Sequence, residues 1–374
     1  MTLGHLAAPA RGKRILIAGG GTGGHLMPAL AIAAALRDQD PSVEPVLVGA
    51  ERGVEARILR TRPFRYHLLP SEPIYRRTWW KNVRWPVVGV RLLARMRRLF
   101  AQERPAAVLG TGGYASGPVV WWAARHGIPT AVQEQNAYPG LATRWLSRSV
   151  RHLYLGLPEA RGRLQLGGGA EAFDTGNPIS PPTPERRAAA LARFGLTAGA
   201  TPVVLVTGGS QGALAVNRAV AGWLDAGAGR EATLIWVTGR GTYEQFARYH
   251  RPPDVQVIDF LDPMADGYAV ADLVVSRAGM LTVAELCAWG LPSILIPLPT
   301  AAADHQTHNA RVLAEAGAAL MLPQAELTPE RLAREVLGLL AGVERRRAMA
   351  QAARARGRPD AAREIASKLL TLTR

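Results

Sequence analysis

Three glycines and a histidine near the start of the chain have types and a spacing that could bind a phosphate beside a base. Gly19, Gly21 and Gly24 follow the pattern GxGxxG, and His25 comes directly after them. Glycines let backbone amides approach a phosphate, and the following helix adds its dipole. Because that dipole disfavours an imidazolium, we expect His25 to be neutral at pH 7 and able to accept a proton. A histidine that only hydrogen-bonds a ligand fits this position equally well.

The same glycines also fit a nicotinamide or flavin site. Such a site needs an acidic residue about 20 positions further on, after the second strand, and Glu51 is a loose candidate. A second glycine loop, GGSQGA at residues 208–213, does not follow GxGxxG. Two different loops of phosphate-binding type favour a cleft that holds a diphosphate.

A third glycine turn, SRAGMLTVAEL at residues 276–286, opens a helix that contains Glu285. A carboxylate near a nucleotide cleft commonly accepts hydrogen bonds from ribose hydroxyls, although a solvated helix acid is the simpler interpretation. Asp38 and Asp40 form a DxD-like pattern that we interpret as a solvated loop. No group of His, Cys, Asp and Glu has the spacing of metal ligands, and the single cysteine, Cys287, excludes a disulfide framework.

These loops must be held at the carboxyl ends of parallel strands. An apolar strand, a glycine loop and an apolar helix recur along the chain, as expected for a doubly wound α/β sheet. The segment GNPISPPTPERR, at residues 176–187, has the composition of a linker. We therefore predict two Rossmann-like domains, over residues 13–177 and 178–356, that face each other across a cleft. The strand–loop–helix runs are residues 14–36, 106–132 and 202–224.

No signal peptide or membrane-spanning helix is predicted. The first fourteen residues lack an apolar h-region. The uncharged stretches 105–124 and 286–303 contain glycines and prolines typical of buried strands and loops.

Positive charge is concentrated in one stretch of the chain. Of the formal net charge of +16, residues 57–104 carry thirteen Arg or Lys against two acids, a net +11. Basic residues among aromatics can bind nucleic acid or an anionic membrane surface; the tryptophans with aliphatic neighbours favour the membrane. The predicted membrane patch consists of Ile74, Arg76, Arg77, Trp79, Trp80, Lys81, Arg84 and Trp85.

Seven motifs in order resemble the bacterial peptidoglycan N-acetylglucosaminyltransferases. They are GGTGGH (20–25), GGYASGP (112–118), QEQN (133–136), GNP (176–178), GGSQGA (208–213), SRAGMLTVAEL (276–286) and DHQTHNA (304–310). The resemblance implies a GT-B fold whose last helix, within residues 357–374, returns to the N-terminal domain. It also implies inverting transfer of GlcNAc from UDP-GlcNAc to the 4-hydroxyl of the muramoyl sugar of lipid I, giving lipid II. No cofactor, metal or nucleic acid is expected. The enzyme would lie peripherally on the cytoplasmic face of the cell membrane, with other cell-wall enzymes as candidate partners.

The resemblance also implies roles for individual residues. His25 or, less favoured, Glu134 would be the base. The acceptor diphosphate would meet the glycine loops at residues 20–25 and 112–118, the latter through Gly112, Gly113, Tyr114 and Ser116. The donor contacts would be Thr22, Gly23, Gly24, Asn136, Ser210, Leu261 (through its backbone), Met280, Leu281, Thr282, Val283, Ala284, Glu285 and Gln306.

One position departs from the family pattern. The family usually has an arginine two residues after the NP dipeptide, in contact with the nucleotide, and this chain has Ser180 there. Arg186 or Arg187 is a candidate replacement, and the alternative is that both only begin a helix.

Overall fold

The structure, a computed structural model, describes residues 12–21, 23–53, 55–72, 79–209, 211–227 and 231–373, without the side chains of Trp79, Lys81 and Asn82. Thirteen strands in this part of the chain form two sheets, of seven and six strands, in which every paired strand is parallel. The strands of the first sheet are β1 (Arg14–Gly19), β2 (Glu44–Ala50), β3 (Arg65–Leu69), β4 (Ala107–Gly112), β5 (Thr130–Glu134), β6 (His152–Leu155) and β7 (Glu171–Phe173). Those of the second are β8 (Val203–Thr207), β9 (Thr233–Val237), β10 (Val255–Ile258), β11 (Leu273–Ser276), β12 (Ser293–Leu295) and β13 (Leu320–Met321).

Fourteen helices cover the faces of these sheets within the described residues. The helices are α1 (Gly23–Gln39), α2 (Glu55–Ile58), α3 (Trp85–Glu103), α4 (Ser116–Arg125), α5 (Leu141–Leu146), α6 (Arg187–Phe194), α7 (Leu214–Asp225), α8 (Tyr243–Phe246), α9 (Met264–Val270), α10 (Met280–Trp289), α11 (His305–Glu315), α12 (Pro329–Ala341), α13 (Val343–Arg356) and α14 (Ala361–Thr371). Within the described ranges, none is both long and apolar enough to span a bilayer.

Both sheets have the strand order of a doubly wound fold, which confirms the predicted fold class. The first runs β3-β2-β1-β4-β5-β6-β7 and the second β10-β9-β8-β11-β12-β13. Helices on both faces bury the central strands completely, so these strands are continuous apolar runs such as Ile15, Leu16 and Ile17. In each sheet the strand order reverses at the centre, between β1 and β4 or between β8 and β11. The crevice at this point, outside the carboxyl ends of the strands, is where such folds bind ligands.

The last helix, α14, packs on the first sheet although it follows the second in sequence. Its buried residues Ile365, Ala366 and Leu369 belong to the same core cluster as α1. Two hydrogen bonds reinforce the contact, because Gln39 Nε2 donates to the carbonyl of Arg363 and Ser367 Oγ donates to Gln39 Oε1. The helix is thereby fixed beside α1.

Candidate active site

The reversal point of the first sheet is lined by two glycine loops in close contact. Gly20 N donates to the carbonyl of Gly112 (3.3 Å), and a side chain on Gly113 would collide with the carbonyl of Gly20. Gly21, Gly112 and Gly113 have φ values of +92°, +99° and +80°, which favour glycine. The sequence therefore places the end of β1 directly beside the end of β4.

His25 lies in the first turn of α1 and is held by both neighbouring strand ends. Its Nδ1 lies 2.9 Å from Gln135 Oε1, just after β5. Thr111 Oγ1, in β4, donates to the backbone carbonyl of His25 (2.9 Å). A Cβ on Gly112 would come within 2.5 Å of Nδ1, so the missing side chain makes room for the ring. Burial lowers the pKa of His25 below its ordinary value, and the imidazole is therefore neutral at pH 7.

Glu134, the other candidate base, has both carboxylate oxygens engaged by the loop that follows it. Its Oε1 accepts from the backbone N and the side-chain Nδ2 of Asn136 (3.0 and 3.2 Å), and its Oε2 accepts from the backbone N of Gly140 (3.0 Å). These contacts give the carboxylate a structural task. Which of His25 and Glu134 is the base stays a prediction.

The residues expected to contact the acceptor differ in their access to the cleft. The ring of Tyr114 lies against Gly21. Ser116 is buried, and its Oγ lies against Gly110; its predicted contact with the acceptor stays a prediction. Gly23 and Gly24 are exposed at the start of α1, where amides lack intrahelical acceptors.

A buried carboxylate that sequence reasoning missed supports the first glycine loop. Glu55 is fully buried, and its Oε1 accepts a hydrogen bond from Gly21 N. Side chains on Gly20 or Gly53 would collide with the same carboxylate. Nothing in the sequence distinguishes Glu55 from a solvated helix acid.

The reversal point of the second sheet repeats the arrangement. The loop after β8 turns through Gly209 and Gly212, with φ values of +82° and +73°, and leads into α7. Gly212 lies against the carbonyl of Thr238, where a side chain would collide. Gly209 N donates to Thr207 Oγ1 (3.2 Å). The amino end of α7 therefore lies at the carboxyl edge of this sheet.

Helix α10 presents part of the predicted donor set on one face. Leu281, Thr282 and Glu285 have the spacing of one helical face and are partly exposed, as is Ala284, whereas Met280 and Val283 are buried in the core. Burial raises the pKa of Glu285, and a hydrogen bond from Tyr268 opposes this effect. The Tyr268 hydroxyl donates to Glu285 Oε2 over 2.8 Å. Tyr268 was not predicted from the sequence, because it lies on a different helix, α9, from Glu285.

Two further predicted donor residues are fixed by backbone contacts. Gln306 Oε1 accepts from Leu298 N (3.0 Å), which ties α11 to the loop after β12. Leu261 has a buried side chain packed on Gly267. Arg277 is also buried and donates to the carbonyls of Ile296 and Pro297. It therefore also fixes the loop after β12.

The carboxyl ends of the two sheets meet through one buried asparagine, Asn309. Its Oδ1 accepts from Ala137 N (3.0 Å), and its Nδ2 donates to Asn136 Oδ1 and to the carbonyl of Ala278 (3.2 Å each). The Tyr138 ring stacks on His308 beside it, with centroids 4.8 Å apart. Asn136, a predicted donor residue, therefore lies at the junction of both halves.

The proposed replacement of the family arginine finds no support in the structure. Arg186 pairs with Asp266 (2.7 Å), and Arg187 donates to the carbonyl of Ala269 (2.7 Å), both on α9. Ser180 is exposed within the linker. The two arginines attach the start of α6 to α9.

Part of the predicted membrane patch is described. Trp80 and Arg84 are exposed, and Trp85, at the start of α3, is half-buried. The other residues of the patch lie outside the described part of the chain, namely Ile74, Arg76, Arg77 and the side chains of Trp79 and Lys81. The predicted donor residues Thr22 and Ser210 also lie outside it. Their predicted roles remain predictions.

Comparisons with known proteins cover almost the whole chain. Residues 15–155 match the glycosyltransferase family 28 N-terminal domain and residues 203–365 the glycosyltransferase family 28 C-terminal domain. The chain is 39% identical over 368 residues to the UDP-N-acetylglucosamine--N-acetylmuramyl-(pentapeptide) pyrophosphoryl-undecaprenol N-acetylglucosamine transferase of Salinibacter ruber, covering 97% of each chain. It is 40% identical over 373 residues to the enzyme of that name from Anaeromyxobacter dehalogenans, covering 96% of this chain and 93% of the relative.

A solved structure agrees with these matches. The crystal structure of Acinetobacter baumannii MurG superposes with a TM-score of 0.77 at 28% identity, covering 96% of this chain and 99% of that one. The resemblance of the seven motifs is thereby confirmed over nearly the full length. The chain belongs to glycosyltransferase family 28.

Proposed function

We propose that the chain transfers GlcNAc from UDP-GlcNAc to the MurNAc-(pentapeptide) pyrophosphoryl-undecaprenol acceptor, lipid I, giving lipid II. The enzymes of Salinibacter ruber and Anaeromyxobacter dehalogenans, whose names state this donor and this acceptor, are 39–40% identical to the chain and support the assignment of both substrates. The observation that carries the proposal is the junction at Asn309, because it joins the carboxyl ends of two doubly wound sheets, where such sheets bind ligands. One substrate for each sheet fits this arrangement.

The transfer step follows from the groups at the two reversal points. The acceptor 4-hydroxyl oxygen attacks the anomeric carbon while its proton passes to His25 Nε2. The bond from the anomeric carbon to the phosphate oxygen breaks, and its electron pair leaves with UDP. Attack opposite the leaving group inverts the configuration of the anomeric carbon.

The charge that develops on UDP needs stabilisation on the donor side. The first amides of α10, after Gly279, lie at the carboxyl edge of the second sheet and lack intrahelical acceptors. Such a helix N-terminus is suited to an anionic phosphate. Glu285, held by Tyr268, is placed one to two turns further along the same helix and would accept from the ribose hydroxyls.

Ligand binding and product formation test the proposal. UDP-GlcNAc at a hundred times its Kd should stabilise the folded chain by about 2.7 kcal/mol, whereas NADH should not. Labelled GlcNAc should then pass to lipid I and appear in a lipid-linked product. A melting temperature raised by NADH alone, or no transfer to lipid I, would refute the assignment.

We further propose that α3 and the turn before it dock on an anionic membrane surface. Leu92, Met96 and Leu99 face the sheet, yet the opposite side of the same segment exposes Val83, Val87, Val90 and Leu93. Exposed apolar residues in one patch mark an interaction site. Arg84, Arg91 and Arg95 are exposed on the same segment, and each basic residue near an anionic surface contributes roughly 1 kcal/mol.

Vesicle sedimentation distinguishes this surface from an unspecific basic one. The variant V87S/V90S/L93S should bind anionic vesicles much less than the unaltered chain, and a control, L166S/V343S, changes exposed leucine and valine residues elsewhere. Binding should weaken as salt rises, because the Debye length is about 8 Å at physiological ionic strength. Equal binding by both variants would refute the docking surface.

A further inference from the structure

The ring of His25 is tied to a chain of three buried amide side chains that has only one self-consistent direction. Gln135 Nε2 lies 2.7 Å from the backbone carbonyl of Thr111, and a carbonyl can only accept. The amide of Gln135 is therefore oriented with its nitrogen towards Thr111. Its Oε1 is the atom that faces His25 Nδ1, at 2.9 Å.

The other hydrogen bonds of this row of amides have the same donor-to-acceptor direction when they are followed from Asn177. Asn177 Nδ2 donates to the backbone carbonyl of Gln135 (3.1 Å), so Asn177 Oδ1 accepts from Gln133 Nε2 (2.8 Å). Gln133 Oε1 then accepts from Gln135 Nε2 (2.9 Å). All three side chains are at most 4% exposed. Two backbone carbonyls, at opposite ends, thus fix every amide between them.

We propose that Gln135 is a positioning residue that fixes His25 in the Nδ1–H tautomer and so presents the lone pair of Nε2 to the acceptor hydroxyl. An amide oxygen can only accept, so a neutral imidazole facing it must carry its proton on Nδ1. The other nitrogen is then unprotonated. The inference rests on the proposed function for its catalytic meaning, but not for the tautomer itself.

The surroundings of the ring keep it neutral while Gln135 orients it. Burial is the largest influence on the pKa of His25 and lowers it, and the hydrogen bond to Gln135 raises it. The titratable groups that face the ring are Glu134, whose charge raises the pKa, and His305, whose charge lowers it. Loss of the Gln135 hydrogen bond should therefore move the pKa of His25 further down.

Nitrogen NMR of the protein labelled with 15N-histidine, without substrates, tests the tautomer directly. His25 is assigned by the signals that His25→Ala removes. We expect Nδ1 to be protonated and Nε2 unprotonated above pH 7. In Gln135→Met, which keeps the length of the side chain but has no amide, the preference should be lost. A wild-type His25 protonated on Nε2 would overturn the inference, even where the variant does not fold.

Kinetics with lipid I separates positioning from a merely structural effect. Gln135→Met should lower kcat tenfold to a hundredfold, leave the KM for UDP-GlcNAc near its original value, and move the acid limb of the pH–rate profile to lower pH. Gln133→Met is the matched control, because Thr111 still orients Gln135 there. If kcat falls equally in Gln135→Met and Gln133→Met and the acid limb does not move, the amides serve only the stability of the fold. Failure of the transfer reaction in the unaltered chain would refute the proposed function and leave the NMR result standing.

Discussion

At the scale of single residues, glycines shape the site, because the rings of neighbouring residues occupy the space that a side chain would fill. Gly112 leaves the space that the ring of His25 occupies, and Gly21 leaves space for Tyr114. Polar partners then fix what remains, since Thr111 holds the backbone of His25 and Gln135 its ring. A side chain that is immobilised in this way loses little orientational freedom when substrates bind.

Replacing His25 by Ala should lower kcat by about 10²- to 10⁴-fold, the usual contribution of a general base, with UDP binding unchanged. Because burial lowers the pKa of His25, the acid limb of kcat/KM, which reports the free enzyme, should have its midpoint below the ordinary pKa of a histidine, with the rate falling as the base becomes protonated. Steady-state rates between pH 5 and 8 check both expectations. A wild-type acid limb with its midpoint above the ordinary pKa of a histidine, or His25→Ala turnover equal to that of the control His126→Ala, would contradict them.

Tyr268→Phe should weaken donor binding without a comparable loss of kcat. It removes the hydrogen bond to Glu285 Oε2, and such a bond to a charged group contributes about 1.5–3 kcal/mol. Since that bond opposes the effect of burial on the pKa of Glu285, protonation of Glu285 should weaken binding at a higher pH in the variant. Calorimetric titration of UDP at pH 5.5 and 8 measures this difference. The remote Tyr249→Phe should bind UDP normally, and unchanged affinity in Tyr268→Phe would argue against the role of Glu285.

At the scale of elements, helices differ in which of their faces find partners. Helix α14 buries one face on α1 and leaves the other in water. Helix α3 has a buried apolar face and a second, exposed one. The first pattern is ordinary packing, and the second is the reason to assign α3 an external partner.

Leu369→Ala should lower the free energy of unfolding by about 2–5 kcal/mol, the cost of a cavity at a fully buried leucine. Chemical denaturation measures the change, and Arg363→Ala, exposed on the same helix, is the matched control. If both variants are equally stable, α14 is not required to complete the core around α1.

At the scale of the whole molecule, Asn309 connects the loop after β5 to the loop after β11. Substrates on both sheets can react only if these loops keep their relative positions. The ion pairs of Arg186 and Arg193 with Asp266 join the residues after the linker to α9 and do not involve Asn309.

Asn309→Ala should raise the KM for UDP-GlcNAc several-fold and increase the radius of gyration in small-angle scattering. It removes the acceptor of the Ala137 N–H and the donor to Ala278, each worth about 1–3 kcal/mol when buried. Asn217→Ala is a matched control, because this buried asparagine makes comparable bonds to Trp236 and Thr238, which both belong to the half of the chain that forms the second sheet. If both variants leave the KM and the radius unchanged, the junction does not depend on Asn309.

The sequence predicted the fold and the glycine loops, because apolar runs and glycine spacing follow from local backbone geometry. It also assigned roles to His25 and Glu285, and these roles stay predictions. It preferred His25 to Glu134 as the base, and this preference stays a prediction. The contacts of Asn136 and Gly140 with the Glu134 oxygens, which bear on the choice, could not be predicted from the sequence. A nucleotide contact of Arg186 or Arg187 was one of two alternatives, and their contacts with α9 could not be predicted because these partners are remote in sequence. Glu55, Tyr268 and Asn177 were missed for the same reason.

The hydrogen bond between Gln39 and Ser367 joins residues 328 positions apart. During synthesis at about 5–20 residues per second, roughly 15–65 s separate the emergence of α1 from that of α14. Throughout that interval the apolar side of α1, with Ile32 and Leu36, lacks its final cover. The half of the molecule that is translated first is thus completed last, and a ribosome that stalls within the second half leaves a nascent chain with an open core for chaperones or proteases to bind.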